Sequence, residues 1–497
     1  MKPICTITIT DEVHAKLTGL GEAHLMQLYE IFGVFTDGYK FNIQFMIGAW
    51  DGKRRFVNMD GTTYTYMLEE VLKYVIAFGY SLNLVDNRIA APPIDPIAED
   101  IFSSVLHPDT GEPTILRDYQ VNAVNSVLRA GYGIILAATS AGKTLICAAL
   151  CSACNQHQYN TVTIVPNNDL LKQTFETYEM CGLDVGTYSG TSKDIDHTHI
   201  ISTWQALKNV PFMMHEFDVV IVDECHGVKG PLLRSLLVDH GKHIPHRIGV
   251  TGTLPKSEVD TALIKATLGP IRYEIPAAEL IDRGVLAQPH ITITVLEEDL
   301  SKQYEKYLDE SRFGKPIDYK TFKEQYFPEF PAEKDYLNNK TDRAEWIADR
   351  IIAERNANPN HNTLVLVNSI PFARKLAKLI PGGQVVNGQD VKDATKRSQI
   401  YQQFKTETGL VVVATVHIAS TGLNIPKIHY LVLVDIGKSY IRVIQSIGRG
   451  LRKAKGKDAI TIHDICSDLG NAKRHLTMRK AYYREAKYPF KLVTIKY

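Results

Sequence analysis

A short polar segment between two apolar runs has the composition of a phosphate-binding loop. Residues 137–144 read Ala-Ala-Thr-Ser-Ala-Gly-Lys-Thr and separate a strand-like run from a helix-like run. Backbone N–H groups in such a loop cradle an anion, Lys143 would reach the outer phosphates, and the Thr144 hydroxyl would ligate magnesium. Ala137 departs from the common motif, which begins with glycine. The predicted nucleotide contacts of the loop are Ser140, Ala141, Gly142, Lys143 and Thr144.

Two carboxylates follow a second apolar run. Residues 218–222 predict a buried strand that ends at Asp223 and Glu224. The carboxyl end of a strand is where an open α/β sheet binds its ligand. Asp223 would hold magnesium, and Glu224 would orient and polarise the water that attacks the γ-phosphate.

A third element lies far downstream. Arg449 and Arg452 are three residues apart, so they share one face of a predicted helix. Guanidinium groups there could neutralise the charge that spreads over the γ-phosphoryl oxygens in the transition state. Combined with the loop and the carboxylates, they predict a catalytic site shared between two domains.

Length and composition limit the kinds of fold that could position these residues. At 497 residues the chain is long enough for about three domains. No apolar run approaches the ~18 residues of a membrane-spanning helix, so we expect a cytoplasmic protein without membrane contact. Seven cysteines without framework spacing indicate reduced thiols. Cys147, Cys151 and Cys154 follow helical spacing and are expected in the core rather than on a metal.

Charge is distributed unevenly along the chain. Residues 438–497 contain 15 Lys and Arg against 4 Asp and Glu, although the whole chain carries a net charge of only +1. This region could follow a phosphate backbone, or it could be a solvated helix face. The candidate cations are Lys473, Arg474, Arg479, Lys480 and Arg484.

The pattern predicts an α/β protein with two tandem RecA-like parallel-sheet domains, a small N-terminal α+β module and a helical insertion between the two lobes. Three prolines in residues 92–96 mark a linker. The aromatic residues of the insertion either stack on bases or form its own small core, which is the commoner arrangement. The predicted segments are the module 1–90, the linker 91–112, the first domain 113–290, the insertion 291–360, the second domain 361–470 and a basic segment 471–497.

A basic turn in the N-terminal module offers a possible duplex contact. Lys53, Arg54 and Arg55 follow a predicted Asp-Gly turn. They could grip a DNA backbone, or they could serve surface solubility equally well.

An ordered motif series over about residues 112–465 resembles that of superfamily 2 helicases. Within that superfamily the chain resembles the UvsW-type recombination helicases of T-even-like bacteriophages, by its Asp-Glu-Cys-His box, its length and its N-terminal module. The motifs are residues 116–120, 141–144, 165–168, 202–205, 223–226, 251–253, 414–415 with 421–424, and 445–452.

The resemblance implies ATP and Mg²⁺ as cofactors and assigns further residues. Tyr119 and Gln120 would read adenine. His226, Thr251 and Thr253 would couple hydrolysis to movement. The second domain would contribute Gly422, Asn424, Gln445, Arg449 and Arg452 across the cleft. The nucleic-acid backbone would be held by Asn167, Thr203, Gln205, Ser369 and Thr415.

The expected activity is that of a monomeric, DNA-stimulated ATPase acting on branched or duplex DNA. The resemblance implies fork regression, Holliday junction branch migration and unwinding of RNA–DNA hybrids in R-loops, in a host cytoplasm if the chain is of phage origin. An RNA helicase would share the motifs, and an annealing or scaffold protein could use ATP as a switch. A restriction-enzyme motor would need nuclease carboxylates, and Pro108-Asp109 has no suitably spaced Glu-x-Lys nearby.

Overall fold

The computed structural model divides the chain into two compact units, Met1–Ile275 and Pro276–Tyr497. None of its described helices is long and apolar enough to cross a membrane. Five predicted site residues lie outside the described residues: Gly422, Asn424, Gln445, Arg449 and Arg452. The structure describes residues 2–106, 111–311, 316–386, 403, 406–416, 427–437, 447–448, 451 and 457–497.

The first unit begins with the predicted α+β module. Four of its strands form a sheet in the order β5-β2-β1-β6, and β3 pairs with β4 in a separate hairpin. Its strands are β1 Ile4–Ile9, β2 His14–Thr18, β3 Gly33–Phe35, β4 Lys53–Arg55, β5 Thr62–Tyr64 and β6 Ser81–Asp86. Its helices are α1 Glu22–Ile31, α2 Ile43–Met46 and α3 Leu68–Ala77.

The module shares a hydrophobic core with the domain that follows it. Val259, Leu263 and Ala266 of a later helix pack among its buried apolar residues. The rings of Tyr66 and Tyr132 lie 4.4 Å apart between centroids. Burial of a Val or Leu side chain contributes roughly 1.5–3 kcal/mol, so the module and the first α/β domain are one packed unit.

The expected linker also lies on that domain. Ile94 and Phe102 are buried, and Asn125 exchanges two hydrogen bonds with the backbone of Ile97. The prolines exclude helix, as predicted, but the segment packs along the surface instead of spanning solvent.

The described part of the first α/β domain contains an eight-stranded sheet in the order β10-β9-β11-β8-β12-β13-β7-β14. All neighbours are parallel except β10 with β9. Its strands are β7 Tyr132–Ala137, β8 Thr161–Val165, β9 Val185–Tyr188, β10 Lys193–Asp194, β11 His199–Thr203, β12 Val219–Asp223, β13 His246–Thr251 and β14 Ile271–Ile275. Its helices are α4 Asp118–Ala130, α5 Lys143–Cys154, α6 Asn168–Met180, α7 Trp204–Leu207, α8 Pro231–Ser235 and α9 Glu258–Leu268.

The central strands of this sheet are buried on both faces, as their continuous apolar runs predict. Because they are parallel, their carboxyl ends meet at one edge. The phosphate loop, the acidic pair and the segments after β8, β11 and β13 all begin at that edge.

The second unit contains a parallel sheet whose described strands run in the order β17-β18-β16-β19-β20-β15-β21. Its strands are β15 Gln288–Glu297, β16 Thr363–Val367, β17 Gln384–Val386, β18 Val411–Thr415, β19 Tyr430–Val434, β20 Ala459–Ser467 and β21 Phe490–Lys496. The helices of its described residues are α10 Ala277–Asp282, α11 Ser301–Glu310, α12 Tyr319–Gln325, α13 Phe330–Asn339, α14 Thr341–Ala357, α15 Ile370–Leu379 and α16 Gly470–Glu485.

These boundaries differ from the expected ones at 290, 360 and 470, and α14, which was expected in the insertion, packs Ile347 and Ile351 in the core of the second domain. Strand β15 precedes the insertion but pairs with β20 and β21 of the second sheet. The expected basic segment 471–497 supplies the edge strand β21 and most of α16, so it is an integral part of the second domain.

Helices α11 to α13 form the expected helical insertion, but it lies within the second unit, between β15 and β16, and not between the two lobes. Its aromatic residues pack with Leu300, Leu337 and Leu469 in a small hydrophobic cluster. The rings of Tyr304 and Phe322, for example, are 5.2 Å apart. The aromatics therefore form the core of the insertion, the commoner of the two expectations.

Candidate functional site

The phosphate loop begins where β7 ends and closes where α5 begins. Ser140 and Gly142 both have left-handed backbone conformations, with φ of 71° and 82°. Gly142 cannot be replaced easily, because a methyl group there would lie 2.4 Å from the Gln120 amide nitrogen. Helix α5 starts at Lys143, and the first N–H groups of a helix lack intrahelical acceptors. The loop therefore ends at a helix N-terminus suited to an anion.

Tyr119 and Gln120 hold this loop from below. The Tyr119 hydroxyl and the Gln120 amide both donate to the Ala141 carbonyl, at 3.0 and 3.2 Å. Gln120 also accepts from the Arg117 backbone N–H at 2.9 Å. Both side chains are almost fully buried, at 0% and 2% exposure. Their contact with the loop is structural, and their reading of adenine stays a prediction.

The acidic pair stands at the end of β12. Burial, followed by the neighbouring Glu224 charge, raises the pKa of Asp223 to about 6. Glu224 has a left-handed backbone conformation with φ of 52°, which turns the chain sharply after the strand. Its Oε1 atom lies 4.0 Å from Lys143 Nζ. The structure thus brings the predicted catalytic lysine and glutamate together.

The three predicted coupling residues form one network with Glu224. The Thr251 hydroxyl lies 3.2 Å from Glu224 Oε2 and 3.0 Å from His226 Nδ1. It also lies 3.0 Å from the Thr253 carbonyl oxygen. His226 Nδ1 is 3.3 Å from Glu224 Oε2. The end of β13 is therefore linked directly to the acidic pair.

Two residues that sequence reasoning passed over complete this pocket. The Thr139 hydroxyl is buried and has no hydrogen-bond partner in the part of the chain that is described. At Gly252, a methyl group would lie 3.3 Å from Lys143 Nζ and 3.1 Å from Thr139 Oγ1. Thr139 lies in the phosphate loop 137–144 and Gly252 in the motif 251–253, so the motifs could have identified both residues. An unpartnered hydroxyl beside a lysine and a helix N-terminus fits a polyphosphate, and the buried oxygen ligands of Asp223 fit Mg²⁺.

Three predicted nucleic-acid contacts of the first domain line one hollow of about 380 Å³ at the carboxyl ends of β8 and β11. These are Asn167, Thr203 and Gln205. Asn167 Oδ1 accepts from the Leu170 N–H at the start of α6, and the Gln205 amide donates to the Pro166 carbonyl at 3.1 Å.

The corresponding residues of the second domain also lie at strand ends. Ser369 accepts from the Phe372 N–H and caps α15, two residues beyond β16. Thr415 is the last residue of β18 and pairs with Val367, the last residue of β16. Thr415 therefore ends β18 and Ser369 follows the adjacent strand β16, so both predicted contacts lie at one edge of the sheet.

The basic residues of the module are less available for nucleic-acid contact than the sequence indicates. Lys53 and Arg55 both pair with Glu30, at 3.0 and 2.9 Å, and Arg55 also contacts Asp51. No sequence pattern signalled Glu30, which lies on α1. Lys53, Arg54 and Arg55 form strand β4, not the tip of the turn.

The basic C-terminal cations are not a continuous free face. Arg479 is fully buried and donates to both carboxylate oxygens of Asp464, at 2.9 and 3.0 Å. Tyr483 donates to the same carboxylate at 2.7 Å. Lys473 pairs with Glu324 at 2.8 Å. The hypothesis that Arg479 follows a phosphate backbone is wrong, because its charge is used inside the domain.

All seven cysteines are buried and unbridged. Within the described residues, no cluster of three or more His, Cys, Asp or Glu side chains is arranged to hold a metal ion. Cys147, Cys151 and Cys154 lie in α5 and pack in the core, as predicted.

Two parallel α/β sheets, a phosphate loop and an acidic pair at the strand ends define the class of nucleotide-driven motors built from RecA-like domains. Three family models match this chain: "DNA helicase UvsW, N-terminal" over residues 6–86, "Type III restriction enzyme, res subunit" over 114–256, and "Helicase conserved C-terminal domain" over 343–454. These matches confirm a superfamily 2 helicase of the UvsW type.

Similar proteins agree with these matches. The ATP-dependent DNA helicase uvsW of Enterobacteria phage T4 is 24% identical over 93% of this chain and 90% of its own length. The DNA 3'-5' translocase XPB2 of Sulfurisphaera tokodaii is 24% identical over 77% and 88%. A solved fragment of a putative HsdR subunit from Vibrio vulnificus YJ016 shares the fold, with a TM-score of 0.57 and 16% identity over 97% and 85%. The chain is an ATP-dependent DNA helicase.

Proposed function

We propose that this helicase remodels branched DNA, by fork regression, Holliday junction branch migration and removal of RNA from R-loops. The observation that carries the proposal is the network joining Lys143, Glu224 and Thr251 at the same sheet edge as the hollow lined by Asn167 and Gln205. A hydrolysis site and a polymer site on neighbouring strand ends can be linked through short loops.

In the nucleotide site, Lys143 would bind the outer phosphates, and Thr144 and Asp223 would hold Mg²⁺, which neutralises phosphate charge when bound. Glu224 would orient the attacking water, and its position is fixed by Thr251 and by its left-handed backbone. A change at the γ-phosphate would reach β13 through this contact.

Residues of the second domain would also take part in ATP hydrolysis. We assign nucleotide contact there to Gly422 and Asn424, and transition-state stabilisation to Gln445, Arg449 and Arg452. Loss of the γ-phosphate would remove the charge that the lysine and the arginines bind, which would couple hydrolysis to movement. Alternating grip by Asn167, Thr203 and Gln205 on one lobe and by Ser369 and Thr415 on the other gives translocation.

The chain would act as a monomer, in the cytoplasm of a host cell if it is of phage origin. The module would add a duplex contact, for which Arg54 is the best placed of the three basic residues, because Lys53 and Arg55 are paired with Glu30.

This function is tested by measuring ATPase stimulation and strand displacement on different substrates. Duplex, forked, four-way and RNA-containing substrates of equal length are compared at one salt concentration, because phosphate contacts make affinity salt-dependent. We expect greater stimulation by forked and four-way DNA than by linear duplex. Stimulation by RNA alone would indicate an RNA helicase. Strand annealing without nucleotide and without unwinding would indicate a scaffold that uses ATP as a switch.

A further inference from the structure

The last strand of the second sheet has an open edge. Strand β21 pairs in parallel with β15 along one side, and no strand of the described residues pairs with its other side. A seven-residue edge offers a row of backbone N–H and C=O groups to another chain.

The side chains of β21 are also open on both faces. Leu492 is 51% exposed and Val493 is 42% exposed. Consecutive strand residues point to opposite faces, so one apolar side chain is uncovered on each. An added strand would cover both and pair the backbone between them.

Cations surround the beginning of this edge. Lys487 and Lys491 are exposed, and the Arg484 guanidinium lies 5.7 Å from the centre of the Phe490 ring. None of these three cations forms an ion pair with a carboxylate of the described residues. The same stretch holds one carboxylate, Glu485, against these three cations, so the first half of the edge carries a net positive charge.

The positive charge at the start of β21 determines which kind of chain can pair with this edge. Two copies of this chain pairing antiparallel through β21 would bring Lys491 of one copy close to Lys496 of the other, and facing like charges destabilise a strand pair. A strand that carries Asp or Glu gains attraction from the same cations. We propose that the outer edge of β21 binds an extended acidic peptide of a partner protein as an additional strand. This interaction goes beyond the DNA-dependent activity.

Binding of synthetic peptides to the full-length protein tests the proposal by fluorescence anisotropy. The probe is a labelled twelve-residue peptide of alternating valine and glutamate. One comparison peptide has lysine in place of glutamate, and another has the acidic sequence with a fully N-methylated backbone. We expect saturable binding of the acidic peptide and no saturable binding of the two comparison peptides.

Matched variants locate the site. Lys487→Glu/Lys491→Glu should weaken acidic peptide binding at least tenfold, whereas Lys320→Glu/Lys378→Glu, two exposed lysines of the same unit, should change it less than twofold. Unchanged thermal midpoints exclude misfolding. The proposal is overturned by absence of saturable binding, by equal binding of the N-methylated peptide, or by equal losses in both variants. Displacement by duplex DNA would assign the edge to DNA, and a dimer in sedimentation lost in Lys487→Glu/Lys491→Glu would assign it to a second copy.

Discussion

The Thr251 hydroxyl lies 3.2 Å from Glu224 Oε2, so the end of β13 touches the carboxylate assigned to the attacking water. Thr251→Val keeps the shape of the side chain and removes this contact. A hydrogen bond to a charged group is worth about 1.5–3 kcal/mol, so we expect DNA-stimulated kcat to fall roughly 10-fold to 100-fold. The KM for ATP should change little, because Lys143 and the phosphate loop are untouched.

Thr251→Ser is the control for that prediction. It retains the hydroxyl and should keep most of the activity. An equal loss in Thr251→Ser and Thr251→Val would show that side-chain packing, and not the hydroxyl, is responsible.

Gln205 gives a test of the nucleic-acid hollow. Its amide donates to the Pro166 carbonyl, away from the phosphate loop. Gln205→Ala should weaken DNA binding about threefold to tenfold in a titration, with the salt dependence unchanged because an uncharged contact is lost. Gln325→Ala, an exposed position on the insertion, should have no effect. A matching fall in DNA-free ATPase would assign Gln205 a structural role.

The buried Arg479–Asp464 pair predicts a large stability effect. Asp464→Asn leaves a fully buried guanidinium without its counter-charge, which costs about 3–5 kcal/mol. Urea unfolding followed by circular dichroism should show this loss in the second unit. Arg479→Met/Asp464→Leu, which removes both charges, should be milder. If the double variant is the less stable of the two, the charge argument fails.

His199 predicts an acid sensitivity of the first unit. Burial lowers its pKa to about 4, and its ring nitrogens contact Thr161 and Asn155. The folded state therefore favours the neutral ring. The contribution of this ring to the free energy of unfolding is full above about pH 6.5 and declines as the pH falls toward 4. We expect about 2 kcal/mol less stability at pH 5 than at pH 7.5 from this group. His199→Gln should flatten that dependence in urea titrations, and an unchanged pH slope would contradict it.

Sequence patterns predicted the parts of the fold that depend on local order. The strands ending at Val165, Thr203, Asp223 and Thr251 contain short apolar runs and each leads into a motif, so their burial and their common edge follow from parallel pairing. Strands β15 and β21 were not predicted as members of the second sheet. Their partners are far away in sequence, since Gln288 pairs with Ala459, and no local signal fixes such pairing.

Sequence motifs predicted the site residues that they contain. They did not predict ion pairs whose second residue lies outside the motifs. Lys143, Glu224 and Thr251 meet as the motif order implies. The charges of Arg55 and Arg479 suggested nucleic-acid contacts, but Glu30 and Asp464 compensate them inside the protein. Charge counts along a sequence cannot reveal such pairing, because the neutralising residue is brought close only by the fold.

ATP turnover by Lys143→Ala on forked DNA tests the central claim most directly. The Lys143 ammonium lies beside Glu224 and the Gly252 turn, where it would contact the outer phosphates. Lys172→Ala, an exposed lysine of the same domain, is the matched control. We predict that Lys143→Ala loses at least about 100-fold in DNA-stimulated ATPase, while forked-DNA affinity changes less than threefold and Lys172→Ala behaves as the parent. Turnover retained by Lys143→Ala would contradict the assignment of this loop as the motor's nucleotide site.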